Sequence, residues 1–238
     1  MQQTYYKKQL VLLGGGHAHV QVLRKLCMNF YEGLHVILVN DSLESAYSGM
    51  TPAYIQDFYK INDIMIDLQR LCFNAGVTFV NDEVIQLQTE KKKVILKNHP
   101  SIHYDLLSIN TGCISKRNNI KINENSKNIF IKPINNLIKN LKTLDELTKN
   151  INNIKINIIG GGVAAFEISF ALRLRFQNKV LINIISKDIL LEKNLNTKSI
   201  SELKKTAKNM NIFLKESDVI EIKKMSCCFQ MEKLFHQI

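Results

Sequence analysis

The sequence predicts an α/β protein built from two tandem copies of one unit, each with a parallel sheet and a β-hairpin addition, the second copy incomplete. Residues 10–42 lie over residues 156–188 without a gap, a shift of 146. Residues 77–98 lie over residues 212–233, a shift of 135. In both copies a short apolar run ends in three glycines and passes into a segment of helix length. Self-similarity at a fixed offset marks a structural unit used twice, and it is far more specific than a single glycine motif.

The elements follow in chain order. In "LVLLGGGHAHVQVLRKLCMNFYEGLHVILVN" the run Leu10–Leu13 reads as a strand and the glycines as a tight turn. Val20, Leu23, Leu26 and Cys27 share one face at helical spacing, so the next segment reads as a helix, and "HVILVN" is a second strand. Strand, tight turn, helix and strand make the front of a Rossmann-like unit. "VTFVNDEVIQLQTEKKKVILKN" then predicts a third strand and a hairpin, with Lys91, Lys92 and Lys93 at its turn. "YDLLSINTG" reads as a buried closing strand ending in Thr111 and Gly112, which completes a first unit over residues 1–113.

Residues 114–153 are expected to link the copies. "SKRNNIKINENSKN" is polar and loop-like, and Leu137, Ile138, Leu141 and Leu144 then fall at helical spacing. The second unit covers residues 154–238, with "INIIGGGVAAFEISFALRLRF" as its strand, turn and helix and "LINIIS" as its second strand. Val219 and Ile220 align with Val84 and Ile85, which predicts a third strand and hairpin here too. The intervening loop is eleven residues shorter than in the first copy. The counterpart of Tyr104 would stand at 239, one past Ile238, so the second unit is expected to lack its closing strand. The chain therefore reads as an incomplete copy of a longer architecture.

The glycines carry a specific chemistry. A helix N-terminus presents unpaired backbone N–H groups and the positive end of the helix dipole, which suits a pyrophosphate. Gly14 permits the sharp strand-to-helix turn, and Gly16 lets a ligand approach the backbone. The third spaced glycine of the usual fingerprint is replaced by His19 in the first copy and by Ala165 in the second. Alanine is an accepted small substitute, whereas histidine is a departure. The end of the second strand normally supplies an acid to a ribose. Here it offers Asn40, followed by Asp41, in the first copy, and Ser186 with Lys187 in the second, which leaves NADH against NADPH open. His17 and His19 are two residues apart on a helix and point to different faces, so no metal site is expected.

The bulk composition excludes several classes. No apolar run approaches the ~20 residues of a membrane-spanning helix. The polar Met1–Gln9 is followed by only four apolar residues, so no signal peptide is read and the protein is expected to be cytoplasmic. The net charge is +11, but lysine is spread along the chain among Asn and Ile and no nucleic-acid module accompanies it, so no nucleic-acid partner is expected. The five cysteines, Cys27, Cys72, Cys113, Cys227 and Cys228, have neither redox-pair nor zinc-ligand spacing.

Two dinucleotide units in tandem, with "TG" closing the first, resemble the pyridine nucleotide-disulfide oxidoreductase superfamily of two-domain flavoproteins. Within it, "LVLLGGGHAHVQVLRKL", "YSGMTPAYIQDFY" and "YDLLSINTG" resemble the NADH dehydrogenase-like flavoproteins found fused ahead of selenophosphate synthetase, where the GGGHAHV form is usual. The resemblance covers nearly the whole chain but only the front of the family's length. It implies that the first unit binds FAD, with Gly14, Gly15, Gly16, His17 and Ala18 around the pyrophosphate and Asn40 at the adenosine ribose. It places the "SGMTP" loop, with Thr51 and Pro52, beside the isoalloxazine, the Val84 backbone facing the adenine, and Thr111 and Gly112 over the cofactor. It implies NAD(P)H in the second unit, held through Gly160, Gly162 and Val163, with Glu167 where nicotinamide approaches the flavin. Glu167 reads equally well as a first-turn acid complementing the helix dipole.

The implied activity is hydride transfer from NAD(P)H to FAD and on to a quinone-like or other small acceptor. No redox cysteine pair follows either glycine turn, so disulfide reduction is not expected. The family's return to the FAD unit, its Gly-Asp motif and its C-terminal interface domain have no counterpart in the sequence. Three rival readings stand beside this one: a truncated, non-catalytic nucleotide-binding remnant, a basic binding protein on a Rossmann scaffold, and a subunit completed by another chain. Peripheral membrane contact and oligomeric state stay open.

Overall fold

The computed structural model describes residues 6–113, 120–123, 128–151, 153–189 and 195–222, together with the backbone strand 227–230. By packing, the chain divides into two units, Met1–Tyr47 with Ile64–Gly112, and Ser48–Asp63 with Cys113–Ile238. The contiguous division after residue 113 thus does not describe Ser48–Asp63, whose Ile55 is fully buried in the second unit's core.

In the first unit β1 (Lys8–Leu13) runs into α1 (His17–Met28) and β2 (Leu34–Asn40). A helix α2 (Leu68–Asn74) leads to β3 (Thr78–Asn81). A three-stranded meander follows, β4 (Val84–Gln88), β5 (Lys93–Leu96) and β6 (Ile102–His103), and then β7 (Leu106–Ile109). The main sheet has the order β3-β2-β1-β7, all parallel. Its central strands are buried on both faces, as parallel strands under crossover helices are. Leu12, Val36 and Leu38 face α1 and α2, meeting Val20, Leu23, Leu68 and Cys72. Val11, Leu13, Ile37 and Val39 face the meander's Val94 and Leu96. Each such fully buried aliphatic side chain contributes about 1.5–3 kcal/mol. Cys27, expected on the buried face of α1, lies at its rim and is exposed.

One carboxylate ties the meander to the sheet. Asp82, just past β3, is 4% exposed and accepts from the Glu83, Asn98 and His99 backbone N–H groups, Asn98 Nδ2 and His99 Nδ1, at 2.7–2.9 Å. Burial alone would raise its pKa, but these donors outweigh it and hold the carboxyl below the usual carboxylate range.

The second unit repeats the plan. It holds β8 (Asn128–Phe130), α3 (Ile134–Asn150), β9 (Ile154–Ile159), α4 (Val163–Phe176), β10 (Val180–Ser186), α5 (Thr197–Asn209), β11 (Ile212–Glu216) and β12 (Cys227–Gln230). Its sheet has the order β8-β12-β9-β10-β11. Of the four residues predicted to pack from α3, Leu137, Leu141 and Leu144 are buried and Ile138 is half-buried.

The repeat holds at the level of register. Lys8 pairs with Leu34 in the first sheet and Ile154 with Val180 in the second, each partner shifted by 146. Ile37 pairs with Thr78, and Asn183 with Phe213, matching both the shift of 146 and the shift of 135.

The edge of β9 where a closing strand would stand is occupied. β12 lies parallel to β9, with Ile156 opposite Cys227, in the place that β7 takes beside β1. The residues aligned with the first hairpin's returning strand join the main sheet here, and Glu221–Ile222 pairs in parallel with Lys121–Ile122. The expected second hairpin is therefore absent among the described residues. The reason is physical: an unpaired edge on the central β9 leaves its N–H and C=O groups unsatisfied, and a nearby strand-forming run fills that ladder first.

Candidate functional site

Each unit turns its chain at the same place by the same bond. Gly14 has φ +88° and Gly160 φ +133°, conformations that favour glycine. Gly14 N–H donates to the Val39 carbonyl at 2.8 Å, and Gly160 N–H to the Ile185 carbonyl at 2.9 Å. These partners are again 146 apart, so each turn is fixed to its second strand in the same way. Gly16 and Gly162 then cap α1 and α4 in extended conformations, φ −69° and −82°. Neither helix has an acid in its first turn, so the amide ends carry no intrinsic counter-charge.

In the first unit the turn is held by side chains from neighbouring strands. Gly15 N–H donates to Asn40 Oδ1 at 2.8 Å, and Asn40 Nδ2 donates to the Ser42 carbonyl at 2.7 Å. Asn110, at the exit of β7, accepts twice, from Gly16 N–H through its carbonyl and from Ala18 N–H through Oδ1, both at 3.1 Å. His19 is 2% exposed. Its Nδ1 faces the Gly14 carbonyl at 2.7 Å and its Nε2 the Ser108 hydroxyl at 2.9 Å. A carbonyl only accepts, so Nδ1 carries the proton and Nε2 accepts from Ser108. Burial pushes the imidazole pKa down, partly offset by the bond to Gly14. His17, by contrast, packs its ring on Tyr47 at 4.1 Å between centroids, so the two histidines diverge.

The predicted residues divide into groups. Gly14, Gly15, Gly16, Ala18 and Asn40 come together, with Thr111 against Gly14, where an added Cβ would sit 2.5 Å from the Thr111 Cα. Gly112 follows at φ +78°, exposed and with open space around it. Val84 opens β4 and packs against the meander-side core, two residues past Asp82, whose N–H donates to the Asn40 carbonyl at 3.0 Å. Thr51 and Pro52 belong to the second unit and form the start of a short helix, Thr51–Ile55, rather than a loop. Thr51 is 4% exposed and its hydroxyl has no partner among the described residues. Arg175 anchors this segment, pairing with both Asp145 oxygens at 2.7 Å and donating to the Ile55 carbonyl at 2.9 Å. Gly160, Gly162 and Val163 form the second turn, and Glu167 is exposed one turn along α4. Sequence reasoning did not single out Asn110 or Ser108; both lie inside the "LLSINTG" strand, where their signal was the strand itself.

The residues present fit a diphosphate. A Cβ added to Gly162 would meet no atom of the described residues within 4 Å, so nothing in their packing requires glycine there, and the space lies at the amide end of α4. In the first unit the His17 N–H and Asn110 Nδ2 have no acceptor among the described residues. The described surface cavities of the first unit, of about 430 and 440 Å³, are lined by other residues, the second by Val20 and Tyr47 among them.

The sequence profile of the pyridine nucleotide-disulphide oxidoreductases matches residues 8–233. The chain belongs to that family. Solved structures carry the same fold. The sulfide:quinone oxidoreductase of Aquifex aeolicus superposes with a TM-score of 0.76 at 19% identity, covering 93% of this chain and 58% of that one. NDH2 of Plasmodium falciparum, solved with NADH, gives 0.79 at 16% identity, covering 95% and 55%. The NADH:rubredoxin oxidoreductase of Clostridium acetobutylicum gives 0.69 at 19% identity, covering 94% and 57%. This family member thus spans between half and three-fifths of the length of these solved chains. No curated protein sequence matches it. No helix among the described residues is long and apolar enough to cross a membrane.

Proposed function

We propose that this chain is the FAD- and NAD(P)H-binding portion of a flavoprotein oxidoreductase, passing a hydride from reduced nicotinamide to flavin and electrons on to a quinone-like or other acceptor. The first unit takes FAD and the second NAD(P)H. The observation that carries this reading is the doubled turn. The same register and the same glycine-to-strand hydrogen bond recur in both units, each time at the acid-free amide end of a helix. Structural neighbours supply consistent chemistry in their names: one is solved with NADH, one is a quinone oxidoreductase and one a rubredoxin oxidoreductase.

Bound flavin supplies the hydride-accepting chemistry, and the chain supplies position and field. Gly14–Gly16, His17 and Ala18 wrap the diphosphate, with the His17 amide as its donor among the described residues, while Asn40 keeps an unused amide hydrogen for the ribose. Val84 backs the adenine, and Thr111 and Gly112 close over the cofactor. Thr51, whose buried hydroxyl has no partner among the described residues, together with Pro52 lines the isoalloxazine. Gly160, Gly162 and Val163 receive the second diphosphate, and Glu167 orients the nicotinamide. Ser186 and Lys187 offer no carboxylate to repel a 2′-phosphate, although Lys187 is shared with Asp218 at 3.9 Å.

The test is direct. The purified protein is titrated with FAD, followed by flavin fluorescence, and then mixed with NADH or NADPH. Saturable binding and bleaching of the flavin absorbance are expected. A protein that takes up no FAD refutes the reading.

A further inference from the structure

We propose that Arg175 is a positioning residue for flavin reduction: from the last turn of α4 it fixes the backbone of Ser48–Asp63, and with it the place of Thr51 and Pro52. The inference rests on the reading that these two residues line the isoalloxazine.

Ser48–Asp63 joins the second unit by packing and not by chain continuity. Its helix Thr51–Ile55 lies against α4 and buries Ile55 fully, in the same core as Phe166, Ala171 and Leu172. Apolar burial is non-directional, and a five-residue helix has little stability of its own, so this packing leaves the helix free to slide. Polar contacts remove that freedom. Arg175 donates from Nε and Nη2 to the two Asp145 oxygens, each at 2.7 Å, and from Nη1 to the Ile55 carbonyl at 2.9 Å. Asp145 belongs to α3, so one guanidinium joins α3, α4 and the segment. The Ile55 carbonyl lies in the last turn of the short helix, where carbonyls lack partners of their own. Just beyond it Asp57 turns the chain in the left-handed region, φ +66°, with its carboxylate 3.8 Å from the same guanidinium.

Stability alone does not account for this arrangement. The Arg175 side chain is 17% exposed and that of Asp145 31%. Taking such a pair out of water costs about as much as the attraction returns, and well-packed apolar residues in its place are often as stable. What the pair supplies is a single geometry, because the planar guanidinium meets a carboxylate only in register and a lysine does not reproduce that fork. A second observation lies at the other end of the helix. Thr51 is 4% exposed and its hydroxyl has no partner among the described residues. A buried hydroxyl is costly to leave unpaired, which points to a ligand group as its partner. The helix thus presents this hydroxyl at its first residue and is clamped at its last. Hydride transfer demands near-contact geometry, and a displacement of about 1 Å can cost about a hundredfold in rate.

The test separates position from stability. The parent protein is compared with Arg175→Lys and with the paired variant Arg175→Met with Asp145→Leu, which exchanges the ion pair for apolar contact. Each is read by FAD and NAD(P)H titration, melting temperature, single-turnover bleaching of bound flavin by saturating NADH or NADPH, and hydrogen exchange in Ser48–Asp63 without cofactor. Both variants are expected to bind FAD and NAD(P)H within about threefold of the parent, because neither glycine turn is touched. The paired variant is expected to melt close to the parent. In both, bleaching per bound flavin falls about tenfold or more, and exchange in Ser48–Asp63 rises while the two sheets keep the parent's protection. Affinity and melting temperature that fall while the saturated bleaching rate stays at the parent's value mark a purely structural role and overturn the proposal. Exchange in Ser48–Asp63 equal to the parent's also overturns it. A parent protein that takes up no FAD refutes the flavin reading, whereas one that takes up FAD and bleaches no faster than its variants refutes the role of Arg175 alone. If the paired variant does not fold, Arg175→Lys, which keeps the charge and loses the fork, decides the comparison.

Discussion

Gly16 and Gly162 occupy one place in the two copies, and the same substitution at each should have unequal consequences for the fold. Both have φ values open to any residue, so backbone strain does not separate them. Their surroundings do. A Cβ on Gly16 would collide with Asn110 Oδ1 and lie 2.5 Å from the Asn110 carbonyl oxygen. A Cβ on Gly162 would meet nothing within 4 Å. The Asn110 carbonyl is held by the Gly16 N–H and by the strand before it, so it cannot swing aside as a side-chain tip can.

Overpacking of this kind costs about 1–3 kcal/mol. Displacing Asn110 also weakens its bonds to Gly16 and Ala18, at about 1 kcal/mol each. Gly16→Ala should therefore cost about 3–5 kcal/mol, a large share of an ordinary domain's stability. At Gly162, alanine restricts the unfolded chain, worth about 0.4–1 kcal/mol, and is a poorer cap than glycine by a comparable amount. The net change should be within about 1 kcal/mol of zero. Urea unfolding followed by far-UV circular dichroism measures both. Equal losses in the two variants, or a larger loss for Gly162→Ala, would refute the reasoning. Under the proposed function, Gly162→Ala also weakens NAD(P)H binding while leaving FAD uptake unchanged, which a cofactor titration reads.

Further expectations follow from individual contacts. His19 is neutral when folded because burial lowers its pKa, so below about pH 6.5 the unfolded chain binds the extra proton first. Stability should fall from that point down through the lowered folded value, and His19→Asn should remove that acid limb from a pH series of melting curves. Arg175→Ala leaves Asp145 and the Ile55 carbonyl without their donor; a part-exposed pair of this kind should cost about 2–3 kcal/mol and speed protease cleavage within Ser48–Asp63, read by mass spectrometry. Burial, with Cys27 nearby, raises the Cys72 thiol pKa to about 12, so iodoacetamide at pH 8 should label Cys27 and Cys113 in the native protein and spare Cys72 until unfolding. Asp82→Ala strands its backbone and side-chain donors and should lower the melting temperature, whereas Lys97→Ala, which breaks an exposed pair with Glu83, should not.

The repeat was legible because period and register are local quantities. A gapless shift of 146 through strand, turn, helix and strand carries the pairing of β1 with β2 directly onto β9 with β10. The buried face of α3 was legible for the same reason, since Leu137, Leu141 and Leu144 repeat at the helical period. Long-range competition was not legible. Alignment assigns Cys227–Gln230 to a hairpin, but which ladder a short strand joins depends on which edge is open, and the sequence does not state that. The place of Ser48–Asp63 was hidden likewise, because Arg175 and Asp145 lie some 90 to 120 residues away from it.

The glycine turns sharpen this contrast. Three consecutive glycines in both copies invite a single explanation, that each leaves room for a ligand. The first copy does not support that explanation by itself. Its Gly15 faces Leu68 and its Gly16 faces Asn110, so the protein's own packing already forbids a side chain at either. His19, at the motif's missing glycine, is accommodated because it reaches the Gly14 carbonyl and Ser108. Gly162 alone among the turn glycines is required neither by its φ nor by any neighbour. Glycine at that position is favoured as the cap of α4, and it leaves the helix end uncovered. The second copy therefore presents the more open turn, although the first copy's motif is the more elaborate of the two.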